Sequence, residues 1–271
     1  MTTLTAEEIE RLADELGQMV VEVALDKPAP QGMETGSEAW HAKRRQGIGG
    51  SDITTVLGLN PWSSPQALWR LKTGRDQPSP GNVYTQRGQT MESGLLAWYG
   101  QATGHTISAG KSGRHRAWPH IRLQGNADGQ VDGSDVLANT GYMGDGLLEI
   151  KTTHQASTMA ARYLGGCVPM AHLLQVHLYM DVLGYQWADI LTAIGKDKHA
   201  ETWALDDCRM VAFRILRNER ILQSIAASAD DFWACVESDR QPTWGRHRLA
   251  SDVVMATVST KITRLIDRRP P

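Results

Sequence analysis

The sequence predicts an α/β fold in which a mixed central sheet is flanked by helices, and three observations carry that expectation. An apolar run at 146–153 (GLLEIKTT) has the length and composition of a strand that is largely buried. Two longer stretches, 84–103 and 169–183, have helical length and pattern, and short alternating segments punctuated by Gly and Pro stand between them. The 271 residues, 41% hydrophobic and 21% charged, are enough to bury a substantial core and have the balance of an ordinary globular chain.

Composition narrows the function classes. The longest apolar runs, such as 19–25, are much too short to cross a bilayer, and the N-terminus lacks the basic, apolar and small-residue layout of a signal peptide, so a cytoplasmic location is expected. Cys167, Cys208 and Cys235 are widely spaced, with no Cys-x-x-Cys pair and no His at zinc spacing. They read as small buried hydrophobes, and three are too few for a four-cysteine iron–sulfur cluster. The formal charge of −2 means that any contact with nucleic acid must come from local clusters of Lys and Arg.

Along the chain, Thr5-Ala6-Glu7-Glu8 forms a capping box, and Leu4, Ile9, Leu12, Leu16, Met19, Val20 and Val23 recur at helical spacing, so an amphipathic helix is expected to end near Asp26. The segment 27–36 (KPAPQGMETG) reads as a linker. Ser37 caps a short helix carrying Trp40 and Arg44, the turn Gly47-Ile48-Gly49-Gly50 breaks it, and Ser51 is placed to cap the next. Amides freed at such a helix start, with Arg44 as a bidentate clamp, suit a phosphate; the simpler reading is a cap and a tight turn. Arg45 is a second basic candidate. A further helix is expected from Ser64 to Lys72 and a long one from Tyr84 to Thr103, followed by a meander from 105 to 123 in which Lys111, Arg114, His115 and Arg116 make a basic cluster.

The chemistry is concentrated between Gly125 and Thr153. If 146–153 is a strand, Glu149 and Lys151 share one face and Ile150 turns into the core. With Asp128 in GNADGQVDG, two carboxylates and an amine can meet; carboxylate oxygens are hard ligands for Mg²⁺ or Mn²⁺, and a lysine beside them can position or deprotonate a water. Glu-x-Lys alone also fits a solvated edge strand with a surface ion pair. Asp128 and Asp132 compete for the role of first acid, while Asp132 and Asp135 also suit a turn into a polar insertion, 133–146. Short and long helices follow at 157–164 and 169–183, the second bearing Gln175 and Tyr179 on one face. His172 and His177, five apart, read as ordinary polar positions. The segments 186–194 and 199–205 are expected to close a hairpin, and 206–233 to form a final helix with Arg209, Arg214, Arg217 and Arg220 outward.

In order, these segments resemble the YqaJ-type viral recombinase nucleases, the family of phage lambda exonuclease, within the PD-(D/E)xK superfamily. The opening motif is carried by Trp40, Arg44, Gly47-Ile48-Gly49-Gly50-Ser51-Asp52 and Leu57-Gly58, the second by Gly88 and Glu92, and the core by Asn126-Ala127-Asp128-Gly129 and Glu149-x-Lys151, with Gln175 in LLQVHLYM after it. The superfamily's proline before the acid is replaced by Ala127, at a place that varies, and the resemblance favours Asp128 over Asp132. It implies that Arg44 and Ser51 hold the 5′-phosphate of a DNA end. It also implies that Asp128 and Glu149, joined by the Ile150 backbone carbonyl and with Glu92 as a further candidate, hold Mg²⁺ or Mn²⁺, that Lys151 orients the attacking water, and that Gln175 lies beside the metal.

The resemblance further implies a restriction-endonuclease-like core at 37–237, between an N-terminal helix and linker at 1–36 and a C-terminal extension at 238–271. The activity implied is a metal-dependent 5′→3′ exonuclease that digests linear double-stranded DNA to leave 3′ single strands for phage-type recombination, in a bacterial or phage-infected cell. A ring-shaped homotrimer and a single-strand annealing protein as partner belong to the same implication. Two other functions are compatible with the core: a structure-specific endonuclease or resolvase, and a non-catalytic DNA-binding accessory of recombination.

Overall fold

The computed structural model describes residues 37–78, 81–114, 122–133, 144–244 and 260–270. The expected N-terminal helix, most of the insertion 133–146, and His115 and Arg116 of the basic cluster lie outside them.

Local signals set the first helices. Ser37 Oγ accepts the Trp40 amide at 3.2 Å and starts α1, Glu38–Arg45; Ser64 Oγ accepts the Ala67 amide at 3.2 Å and starts α3, Pro65–Lys72, with proline at its first position. Between them lie the short strand β1, Ile48–Gly49, and α2, Gly50–Val56. Ser51 is not the cap expected of it. Gly49 takes that place, and its amide is satisfied by Asp52 Oδ2 at 3.0 Å, so Ser51 stands inside the first turn with its hydroxyl free for another partner. The long helix α4 spans Val83–Thr103.

Strands β2 (Ile107–Ala109), β3 (Ser112–Arg114), β4 (Leu123–Asn126), β5 (Gly129–Val131) and β6 (Gly146–His154) follow, then α5 (Thr158–Leu164), α6 (Met170–Leu183) and β7 (Trp187–Gly195). Gly184 closes α6 in the left-handed region at φ 79°. Among the described residues six strands form a sheet in the order β2-β5-β6-β7-β8-β9, where β8 is Arg209–Leu216 and β9 is Ile262–Arg268. Within this sheet, among the described residues, only β6 and β7 run parallel, from Leu147 opposite Ala188 to His154 opposite Gly195, so the sheet is mixed. A smaller sheet, β1-β4-β3, sits beside it.

The last third of the chain differs from expectation. The segment 199–205 is not a strand: Trp203 lies against Gly195 and donates its indole N–H to the Asp197 carbonyl at 2.8 Å. The partner of β7 is β8, inside the stretch expected to be helical, and the final helix, α7, is only Glu219–Glu237. An apolar run such as RMVAFRIL reads equally as buried helix or buried strand, and pairing with β7 decides it. The arginines are therefore not an outward row. Arg214 is buried against Asp189, Arg209 pairs with Asp267, and Arg217 with Asp181 and Glu219. From the extension, β9 adds the edge strand.

Helices cover both faces of the sheet. On one face α2, α3, α5, α6 and α7 bury Ile53, Leu68, Tyr163, Leu174, Leu178 and Phe232 against Leu147, Ile190 and Phe213. On the other, Met91, Leu95 and Tyr99 of α4 meet Leu148, Ile150 and Leu191. Strand β7 is buried along all nine residues, as a central strand covered on both faces should be. Among the described residues no helix is long and apolar enough to cross a membrane.

Candidate active site

Alternation along β6 sends Leu148 and Ile150 toward α4 and leaves Glu149 and Lys151 facing α6. The edge-strand reading is excluded: β6 has neighbours on both sides, and Glu149 is 3% exposed. Glu149 Oε1 accepts hydrogen bonds from Lys151 Nζ at 2.6 Å and Gln175 Nε2 at 2.7 Å, while Lys151 Nζ also donates to Gln175 Oε1 at 3.1 Å. Gln175 uses its second N–H on Tyr179 Oη at 3.1 Å, one turn further along α6. The other carboxylate oxygen, Glu149 Oε2, is buried without a hydrogen-bond partner. Burial, reinforced by the charges of Asp128 and Glu92 and opposed by Lys151, pushes the Glu149 carboxyl up to about 8.

Asp128 reaches the same strand. β5 begins at Gly129, and the Asp128 side chain continues the pairing by accepting the Ile150 amide at 2.8 Å on Oδ2. Its carboxyl is raised by burial against the opposing charge of Lys151. Asp132, the competing acid, is exposed at the far end of β5, and Asp135 lies outside the described residues. Glu92 is half-buried on α4, and its carboxyl is raised by burial and then by the charge of Asp128.

Repelling carboxylates around a buried, unpartnered oxygen are unfavourable until a cation arrives: two charges about 4 Å apart repel by about 4 kcal/mol at an effective dielectric near 20. The side-chain donors are oxygens, which suits Mg²⁺ or Mn²⁺. Among the described residues no three His, Cys, Asp or Glu side chains close on one point. Asp128 and Glu149 are the carboxylates that could hold such an ion, and Glu92 adds charge nearby.

The opening motif forms a second cluster. Arg44 lies 4.9 Å from the Trp40 ring centre, and its Nη2 donates to Ser51 Oγ at 2.8 Å and lies 3.5 Å from Asp52 Oδ1. Asp52 Oδ2 also accepts from Lys72 Nζ at 2.7 Å, and Lys72 donates to the Arg44 carbonyl at 2.8 Å. Burial alone would raise the Asp52 carboxyl, but Lys72 and Arg44 hold it below its usual range. The two clusters meet at α6. A Cβ on Gly50 would stand 2.6 Å from Gln175 Cγ and 2.7 Å from the Tyr179 ring, so glycine is what lets α2 press against the residues that hold Glu149.

Asp52 stands in the opening motif with no role expected of it, although an acid at the third position of a helix is a capping signal, and nothing local marks Lys72. The buried set Tyr99–Asp189–Arg214, with contacts of 2.7–2.8 Å, had no local signal at all. His172 is half-buried and His177 fully buried on α6, and each makes a hydrogen bond within the protein. Tyr163 Oη lies 2.6 Å from His172 Nδ1, His177 Nδ1 donates to the Leu173 carbonyl at 2.7 Å, and burial lowers the two rings to about 3 and about 4.

A family model described as the YqaJ-like viral recombinase domain matches residues 39–186. The chain is 27% identical over 205 residues to "Uncharacterized protein YqaJ" of Bacillus subtilis (strain 168), a match covering 74% of this chain and 56% of that protein. Among solved structures, the alkaline exonuclease LHK-Exo from Laribacter hongkongensis superposes with a TM-score of 0.57 at 21% identity, over 75% of this chain and 94% of that one. LHK-Exo in complex with dAMP gives 0.56 at 22% identity over the same shares. At that identity the likeness is one of fold, a mixed α/β core with its sheet flanked by helices.

Proposed function

The chain belongs to the YqaJ-like viral recombinase domain family, and from that premise we propose that it is a divalent-metal-dependent deoxyribonuclease that digests linear double-stranded DNA from the 5′ end, leaving 3′ single strands for recombination. The observation that carries the reading is Glu149: one oxygen is locked into the Lys151–Gln175 network, and the other is buried and free to bind a cation. Asp128, Glu149 and the Ile150 carbonyl would hold Mg²⁺ or Mn²⁺, which supplies Lewis-acid stabilisation of charge building on the scissile phosphate. Lys151, held at Nζ by Glu149 and Gln175, orients the attacking water and stabilises the anion that forms. Gln175 keeps both partners in register, and Arg44 with Ser51 takes the terminal phosphate.

The same reading places the nuclease unit at 37–237, flanked by 1–36 and by 238–271, from which β9 joins the sheet. It includes a ring-shaped homotrimer, a single-strand annealing partner and action in the cytoplasm of a bacterial or phage-infected cell. Digestion of linear duplex beside covalently closed circles tests it. Linear DNA should be consumed in Mg²⁺ or Mn²⁺, stop in chelator and be suppressed by Ca²⁺, whose longer bonds hold water and phosphate loosely for in-line attack. Cleavage of closed circles would make the enzyme an endonuclease, and full activity in chelator would remove the metal from the mechanism.

A further inference from the structure

Arg44 is surrounded by more charge than a phosphate clamp needs. Its guanidinium lies over Trp40 and reaches Ser51 and Asp52, and its side chain is 39% exposed, so one side remains open to a ligand. Asp52 is 12% exposed and 3.5 Å away, and by itself would compete with an incoming phosphate for the guanidinium and repel it. Lys72 sits behind Asp52, 5% exposed, with its ammonium 2.7 Å from Oδ2. Two cations and one anion leave a net charge of +1, which falls on Arg44, the outermost of the three by exposure.

Lys72 also donates to the Arg44 carbonyl, one of the last carbonyls of α1, which have no intrahelical partner. A single ammonium thus ties the end of α1 to the start of α2. The Gly49 amide, bound to the same Asp52 oxygen, fixes the loop between them.

Resting on the reading of Arg44 and Ser51 as the seat of a 5′-phosphate, we infer that Lys72 and Asp52 are positioning residues for end recognition: Asp52 aims Arg44 at Ser51, and Lys72 neutralises Asp52 so that the charge of Arg44 is left for the phosphate. An ordinary structural tie would slow digestion of every end alike. A charge-setting role changes the ratio between ends that carry a phosphate and ends that do not.

The test is the ratio of digestion rates on 5′-phosphorylated and 5′-hydroxyl linear duplexes, at low substrate concentration, for wild type, K72M and the double variant D52N/K72M. K72M is expected to lower the ratio about tenfold, the scale of one charge-assisted hydrogen bond. D52N/K72M removes both buried charges, restores the net +1, and is expected to recover most of the lost ratio. A ratio unchanged in K72M, or a double variant no better than K72M, overturns the inference. If K72M does not fold, the double variant decides: a ratio near wild type supports the inference and a ratio near one overturns it. Wild type separates the two levels. Equal digestion of both ends by wild type removes the phosphate-seat reading itself, whereas a wild-type preference that K72M retains removes only the roles of Lys72 and Asp52.

Discussion

Glu149 presents its two oxygens to different neighbourhoods, and that asymmetry sets what its replacement should do. Oε1 is a structural acceptor for Lys151 and Gln175, and Oε2 has no protein partner. Glu149→Gln keeps the shape of the side chain and relieves a buried group whose charged form is already disfavoured, so thermal unfolding should be unchanged or slightly later. Cleavage should fall by roughly a hundredfold or more, because a neutral amide does not balance the charge of a cation. Lys151→Ala should lose activity to the same degree. Gel-shift binding should persist in both variants, since phosphate contacts elsewhere supply affinity. Digestion within tenfold of wild type in either would take Glu-x-Lys out of the active site. At this scale the sequence was informative: strand alternation alone places Glu149 and Lys151 on one face. It could not tell which oxygen would be left without a partner, because that depends on a glutamine 26 residues away.

Helices α2 and α6 bring the two clusters together, and their contact is a close approach of backbone to side chain. Gly50 leaves no space for a methyl group beside Gln175 and Tyr179. Gly50→Ala should therefore destabilise the fold by about 1–3 kcal/mol, as overpacking does, measurable as a lower urea midpoint. It should also lower activity beyond any loss of folded protein, since it displaces the side chain that holds Glu149 and Lys151. Full activity at native stability would mean that α2 and Gln175 move independently. The helices were legible in order because their ends carry local signals: Ser37, Ser64, Asn82 and Ser157 each accept an amide of the first turn. β8 was not, because an apolar run buried on both faces has lost the alternation that identifies a strand.

Across the whole molecule, two histidines on α6, His177 fully buried and His172 half-buried, contribute to how stability changes in acid. Each ring is lowered by burial, His172 to about 3 and His177 to about 4, from 6.5. A base whose folded pKa is depressed stabilises the fold fully above its unfolded value, and that contribution is lost as pH falls from 6.5 toward the folded value. Glu149 has the opposite sign: with a folded value near 8, its contribution is present below 4.5 and lost as pH rises through 8. Comparing wild type with His177→Asn, whose Nδ2 stands where the ring's Nδ1 donates to the Leu173 carbonyl, isolates the histidine. Between pH 7 and 5 the wild-type unfolding free energy should fall by about 2 kcal/mol more than that of the variant, at 1.36 kcal/mol per pKa unit. Parallel urea-denaturation curves at the two pH values would show that His177 is charged when folded.

What the sequence by itself determined was whatever chemistry and geometry neighbours along the chain can specify: the order of the acids, the face shared by Glu149 and Lys151, the Ser37 cap, and the pairing of Gln175 with Tyr179 one turn apart. Tertiary structure alone decided which distant groups meet. Asp52 finds Lys72 across 20 residues, Arg214 finds Asp189 across 25 in the β7–β8 register, and β9 reaches the sheet edge from beyond 260. The physical reason is reach. Propensity, periodicity and capping act over about four residues, whereas a charge or a strand edge is satisfied by whatever the packed chain brings beside it.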